Sequence, residues 1–303
     1  MSAPPILVVA GLRNSSVGRV AALLAQHEDA LLLPELNLCM ADSVGAWLLM
    51  AERSQDDIGH GLLRAVAVLQ RGRESTADIA HARDWLWRRS DRSSLSVLEE
   101  LRQHVSPKRL VIPDLNLGWR PNYMHALSQF QAFQLLHLVR HPLTHCRDIT
   151  HSLSQDYFVA PEWRDFCDNP SGVIDPQIAW YRIHRNLIDQ FGADHARYQR
   201  LRLEDLLTAL ATQRDRLWSD LGWPAQSPSP SPAAVASGFL SPGCEAAVGG
   251  MEADVMHTPQ LTQELRRDPP LDALADWRPD GRRLSSEVRQ LALKLGYNTQ
   301  AQV

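Results

Sequence analysis

The residues best placed for chemistry near the start of the chain are Arg13, Asn14, Ser15, Ser16, Val17 and Gly18, which follow the short apolar run ILVVA and precede an amphipathic run ending at His27. That order predicts a strand, an anion-binding loop and a helix over residues 6–27. Backbone N–H groups at a helix start lack intrahelical partners, and the helix dipole is positive there, so a phosphate or sulfate can be held largely by main chain. Arg13 adds a cation, Ser15 and Ser16 add hydroxyl donors, and Gly11 marks a sharp turn.

Two common phosphate loops do not fit. A G-x-x-x-x-G-K-[ST] loop needs a closer glycine pair than Gly11 and Gly18, and Arg19 and Val20 stand where its lysine and hydroxyl belong. A G-x-G-x-x-G fingerprint lacks its third glycine. The histidines show no metal-ligand spacing, and the cysteines Cys39, Cys146, Cys167 and Cys244 form no C-x-x-C pair, so no metal and no disulfide framework is expected. A formal charge of −4 supplies no polycationic field and argues against a general nucleic-acid binder. The apolar runs are too short to span a bilayer and no basic leader precedes them, which points to a cytoplasmic protein with no membrane partner.

The elements that would position the loop alternate between strands and helices. Strands are expected over residues 6–10, 30–33, 109–112, 133–140 and 198–203. Helical periodicity covers residues 18–27, 41–73, 94–104, 176–191, 206–221 and 285–295, and a further helix begins at Pro142. Trp85 and Trp87 lie in a charged helical or loop segment. Residues 224–275 include the Pro- and Ser-rich PAQSPSPSPAAVASG and read as an irregular loop or flap. This pattern predicts a single α/β domain over residues 1–303, with a central parallel sheet flanked by helices in three layers, P-loop-like, and a ligand beyond the C-terminal strand ends.

Three further blocks, PELNL at 34–38, LLHLVRHP at 135–142 and LRLEDLL at 201–207, follow the first loop in an order that resembles the sulfotransferases, and in particular their bacterial polyketide-associated and tyrosylprotein-type branch. The ending WRPDGRRLSSEVRQLALKLGY is similar to that family's C-terminal helix. The resemblance implies a transferase that uses 3′-phosphoadenosine 5′-phosphosulfate (PAPS) and releases 3′-phosphoadenosine 5′-phosphate (PAP). It places Arg13, Asn14, Ser15, Ser16, Val17 and Gly18 on the 5′-phosphosulfate and Arg140 on the 3′-phosphate. Arg13 would neutralise charge in transfer, and Glu35 would be the base that takes a proton from a small hydroxylated acceptor. Whether Arg13 or Asn14 aligns with the family's loop arginine stays open.

The sequence departs from the family pattern at several positions. Asn37 replaces the histidine of a PELH-like turn, Asp114 and its neighbours replace a VDKSP-like block with its lysine, and Asp148 replaces a serine eight positions after Arg140. A carboxylate there repels a phosphate unless it is paired, for instance with Arg147. These departures keep a second expectation alive, a catalytically degenerate relative that binds or assembles. Oligomeric state is not legible. Glu204 and Asp205 are expected to cap the following helix, His137 to be a core histidine, His141, His145 and His151 to be more exposed, and Trp180, Trp218, Trp223 and Trp277 to pack in the core.

Overall fold

The computed structural model describes residues 3–53, 59–153, 175–224, 269–278 and 280–298, and the backbone of 154–155, 167–168 and 173–174. Most of the expected flap at 224–275 lies outside the described residues.

Five parallel strands form the main sheet: β1 (Ile6–Ala10), β2 (Ala30–Leu32), β3 (Arg109–Asp114), β4 (Phe133–Val139) and, after a short antiparallel pair β5 (Cys167–Asp168) and β6 (Val173–Ile174), the strand β7 (Tyr198–Arg202). Their order is β2-β3-β1-β4-β7. All five residues of β1 are buried, and the strand period of two sends them to opposite faces. Ile6, Val8 and Ala10 enter the larger core, and Leu7 and Val9 enter the smaller one. A continuous apolar run is what a central strand covered on both sides requires.

Helix α1 (Val17–Leu24) covers the smaller core. Helices α2 (Val44–Arg53), α3 (His60–Arg71), α4 (Thr76–Trp87), α5 (Ser94–His104), α6 (Pro121–Gln129), α7 (Pro142–Gln155) and α8 (Pro176–Phe191) come next in the chain. Buried residues of α2 to α8 contribute to the larger core, whereas α9 (Leu203–Thr208) and α10 (Leu210–Asp220) pack with α1. Helix α11 (Ser286–Lys294) returns to the larger core through Val288, Leu291 and Ala292. The architecture is thus a parallel sheet between two helical layers. No helix among the described residues is long and apolar enough to cross a membrane.

Two expected helices are divided. The periodic stretch 41–73 contains α2 and α3, the second beginning after Gly59 at its N-cap. Helix α3 stops at Gly72, whose left-handed φ of 72° lets its N–H reach the Val68 carbonyl at 2.7 Å. Ala209, at φ −151° and ψ 63°, separates α9 from α10 within the stretch read as 206–221. The segment holding Trp85 and Trp87 is helix α4, started by a reciprocal cap between Ser75 and Asp78. Helix α6 was not anticipated.

Helix α3 approaches the turn after β2 closely enough that a Cβ on Gly61 would stand 1.8 Å from the Glu35 carbonyl oxygen. Gly61→Ala is expected to force the two apart at a cost of about 1–3 kcal/mol. Thermal unfolding should show a melting temperature lower by several degrees, and an unchanged value would contradict this packing.

Candidate active site

Strand β1 ends between β3 and β4, where the chain order across the sheet reverses, and open α/β sheets bind ligands at such points. The loop leaving β1 is shaped by its own backbone. Gly11 donates its N–H to the Asp114 carbonyl at 3.4 Å, and Asn14 and Ser16 adopt left-handed φ values of 64° and 63°. Ser16 is the N-cap of α1 but makes no side-chain cap bond. Its carbonyl receives the N–H groups of Arg19 and Val20 at 3.1 and 3.0 Å, so the Val17 and Gly18 N–H groups precede the first helical bonds. A Cβ added to Gly18 would meet nothing within 4 Å, so the space beside that helix start is open.

Ser15 turns inward. It is fully buried, and its hydroxyl donates to the Leu12 carbonyl at 2.5 Å, closing the loop on itself. Arg13 is half-buried and donates to the Ser152 hydroxyl at 3.3 Å, while its carbonyl accepts a 2.7 Å bond from His145 Nε2. Arg140, at the end of β4, is buried against the same loop and donates Nη1 to the Asn14 carbonyl at 2.5 Å. Its own carbonyl accepts from Trp180 Nε1 at 3.1 Å. Arg140 and His145 are thus both hydrogen-bonded to the backbone of the β1 loop.

Asp148 is where sequence and structure differ in detail. Its carboxylate takes Arg140 Nη2 at 2.6 Å, whereas Arg147 Nε lies at 3.8 Å, so the main partner of Asp148 is Arg140 and not Arg147. With Nη1 on Asn14 and Nη2 on Asp148, Arg140 keeps only Nε without a hydrogen-bond partner among the described residues.

Glu35 lies in the turn after β2, and the structure gives it a neighbour that sequence reasoning missed as a functional group. The turn after β3 points its donors at two carboxylates. Leu115 N–H and Asn116 Nδ2 donate to Glu35 Oε1 at 2.6 and 3.1 Å. Asn116 and Leu117 N–H donate to Asp114 Oδ1 at 2.9 and 2.7 Å. Asn116 Nδ2 also reaches Asn37 Oδ1 at 2.9 Å, and Asn37 holds a left-handed φ of 54°. Burial, and then the Asp114 charge, push the Glu35 carboxyl well above the usual range, and burial pushes Asp114 up as well. The signal available in sequence was Asp114-x-Asn116 at a strand end, a spacing that suits an aspartate accepting backbone N–H groups two and three residues on.

Three expectations need correction. His141 and His145 are fully buried, because α7 packs them between the loop and the core, while His151 is exposed. Glu204 and Asp205 do lie in the first turn of α9, but the Glu204 carboxylate is held by distant segments. Its Oε1 accepts from the His141 N–H at 2.7 Å and its Oε2 from the Tyr297 hydroxyl at 3.0 Å, which ties the LED block and the C-terminal segment to the end of β4. Ser15, expected to offer its hydroxyl to an anion, commits it to the Leu12 carbonyl. His137 and the four named tryptophans are buried as expected.

No protein-family model matches the sequence, and neither does any curated protein. Among solved structures, the sulfotransferase domain from the curacin biosynthetic pathway superposes with a TM-score of 0.68 at 18% identity, covering 99% of this chain and 100% of that one. The sulfotransferase domain from the Synechococcus PCC 7002 olefin synthase gives a TM-score of 0.66 at 20% identity, covering 98% and 97%. Over nearly its whole length, the chain has the fold of a sulfotransferase domain.

Proposed function

We propose that the chain is a sulfotransferase that moves a sulfuryl group from PAPS to the hydroxyl of a small-molecule acceptor. The observation that carries this reading is the juxtaposition of an open helix start at Val17 and Gly18 with the carboxyl of Glu35, joined through the Gly11 to Asp114 hydrogen bond. The unpartnered Arg140 Nε and the open space at Gly18 also fit an anionic donor. Val17 and Gly18 N–H groups, with Ser16 and Arg13, would hold its 5′ end, and Arg140 its 3′-phosphate. PAPS supplies the sulfuryl group and leaves as PAP.

The protein's part is positioning and charge control. Sulfuryl transfer, like phosphoryl transfer, asks chiefly for alignment and for neutralisation of charge on the leaving oxygen. Backbone donors and the Arg13 guanidinium meet the second need. The bonds from Leu115 N–H and Asn116 Nδ2 hold Glu35 by Oε1, and its carboxylate would accept the proton of the acceptor hydroxyl. Asn37 cannot share that task, since an amide does not titrate. Incubation with radiolabelled PAPS and a panel of small hydroxylated metabolites tests the reading: label should pass to an acceptor, and retention of all label in the donor with every acceptor would defeat it.

One observation favours a non-catalytic relative, the Asp148 carboxylate in the fork of Arg140. A 3′-phosphate must displace that carboxylate, and the exchange weakens donor binding. Asp148→Ser should therefore raise PAP affinity by about tenfold, or ~1.4 kcal/mol, a modest value because Asp148 is partly exposed and its field is screened. Equal affinity in the two proteins, measured by calorimetry, would separate Arg140 from the donor.

A further inference from the structure

We infer that Asp114 is a positioning residue for Glu35, and that the two carboxyl groups hold one proton between them as a pair, which makes Glu35 a stronger base than a lone glutamate. This inference rests on the reading of Glu35 as the acceptor's base.

The geometry is specific. The turn at Asp114 to Leu117 directs its donors at one oxygen of each carboxyl, Oε1 of Glu35 and Oδ1 of Asp114. Asn116 touches both, its main-chain N–H on Asp114 and its side-chain amide on Glu35. The pair is thus fixed by one rigid turn, and the two remaining oxygens, Oε2 and Oδ2, receive none of those bonds. Two carboxylates held together with little water cannot both ionise easily, so the first proton is bound tightly and the second weakly. Asp114 also sits in the ladder beside Ala10, the last residue of β1, which places the pair at the mouth of the first loop.

Among the described residues, no cation acts to lower the Glu35 carboxyl. Cys39, from the turn after β2, interacts with Asp114, and burial together with that carboxylate keeps its thiol protonated. Helix α3 brings Gly61 against the Glu35 carbonyl, with His60 beside it in the chain. Arg13, the cation of the facing loop, is turned to Ser152. Asp114 carries the effect because one turn holds both carboxyls, with Asn116 donating to each.

Isotope-edited carboxyl NMR of the full chain tests the inference without any acceptor. In the wild type, Glu35 should titrate above the ordinary carboxylate range. In Asp114→Asn, whose Oδ1 can still accept from the turn, the Glu35 midpoint should fall by about one pH unit, a tenfold loss of proton affinity. Because Glu35 takes the first proton, Asp114 titrates beside a neutral partner in the wild type and in Glu35→Gln alike, so its midpoint should not fall in that variant; Asp114→Ser serves if Asp114→Asn folds poorly. A Glu35 midpoint unmoved in Asp114→Asn and Asp114→Ser would overturn the pairing, and an Asp114 midpoint that falls in Glu35→Gln would overturn the assignment of the first proton to Glu35. With an acceptor in hand, the acid limb of turnover should shift down with the NMR midpoint in Asp114→Asn. Coupled NMR titrations in a chain that transfers no sulfuryl group would uphold the pair while defeating the transferase reading.

Discussion

Glu35→Gln is expected to lower sulfuryl transfer by about 10²–10⁴-fold, the range for loss of a positioned general base, while leaving PAP affinity unchanged. The separation follows from placement. Glu35 belongs to the turn after β2, whereas the proposed donor elements are the β1 loop and Arg140, so on that reading the variant removes the proton acceptor and not the anion site. The fold should tolerate it. A glutamine Oε1 can still accept from Leu115 N–H and Asn116 Nδ2, and its neutral amide places no second charge beside Asp114. In the wild type the raised proton affinity of Glu35 makes turnover climb as pH rises through the neutral range, because only the deprotonated form works. Unchanged turnover in Glu35→Gln, or turnover that falls over that range in the wild type, would remove Glu35 from the chemistry.

Acidification should unfold the protein earlier than its carboxylates alone would. His137 is buried between Tyr198 and His184, with Nδ1 2.7 Å from the tyrosine hydroxyl and Nε2 2.7 Å from His184 Nδ1. A neutral imidazole carries one N–H, so this chain closes with each ring neutral, and an added proton turns one acceptor into a donor. Burial lowers the proton affinity of His137, His141, His145 and His184. His141 and His184 are pushed down to about 3, and His137 and His145 fall well below the ordinary value. For groups whose folded value lies below the unfolded one, stability is present above the unfolded value near 6.5 and is lost as pH falls from there toward about 3.

Each such histidine costs up to ~1.4 kcal/mol per pH unit in that window. Summed over the group, the loss between pH 7 and 5 reaches several kcal/mol, comparable with the whole stability of a typical domain. Glu35 and Asp114 run the other way, since their raised values add stability at low pH that is lost as pH rises, but they are fewer. Denaturant unfolding at a series of pH values checks this. A free energy that stays flat from pH 7 to 5 would contradict the buried neutral state of the histidines.

What the sequence made legible follows from local rules. The runs ILVVA and FQLLHLV read as central strands because a strand covered on both faces must be apolar throughout. The first loop read as an anion site because its polar residues meet a helix start. The exclusion of Walker and Rossmann loops needed only glycine spacing. Long-range pairings were not legible. Asp114 looked like the loss of a cation, and its partnership with Glu35 depends on β2 and β3 lying side by side, a fact of sheet order. His141 and His145 looked exposed because they are polar and open a helix, but α7 lies between the β1 loop and the larger core. Glu204 looked like a cap because it begins a helix, but its carboxylate is claimed by His141 and Tyr297 from distant segments. The pairing of Asp148 with Arg140 rather than Arg147 has the same origin, since the strand-end guanidinium faces α7.

The central claim is that the β1 loop and Arg140 form a site for a sulfuryl donor. Calorimetric titration of the wild-type chain with PAP tests it most directly. Saturable binding at one site, weakened in Arg140→Ala, is the result expected, and absence of binding at millimolar PAP would contradict it.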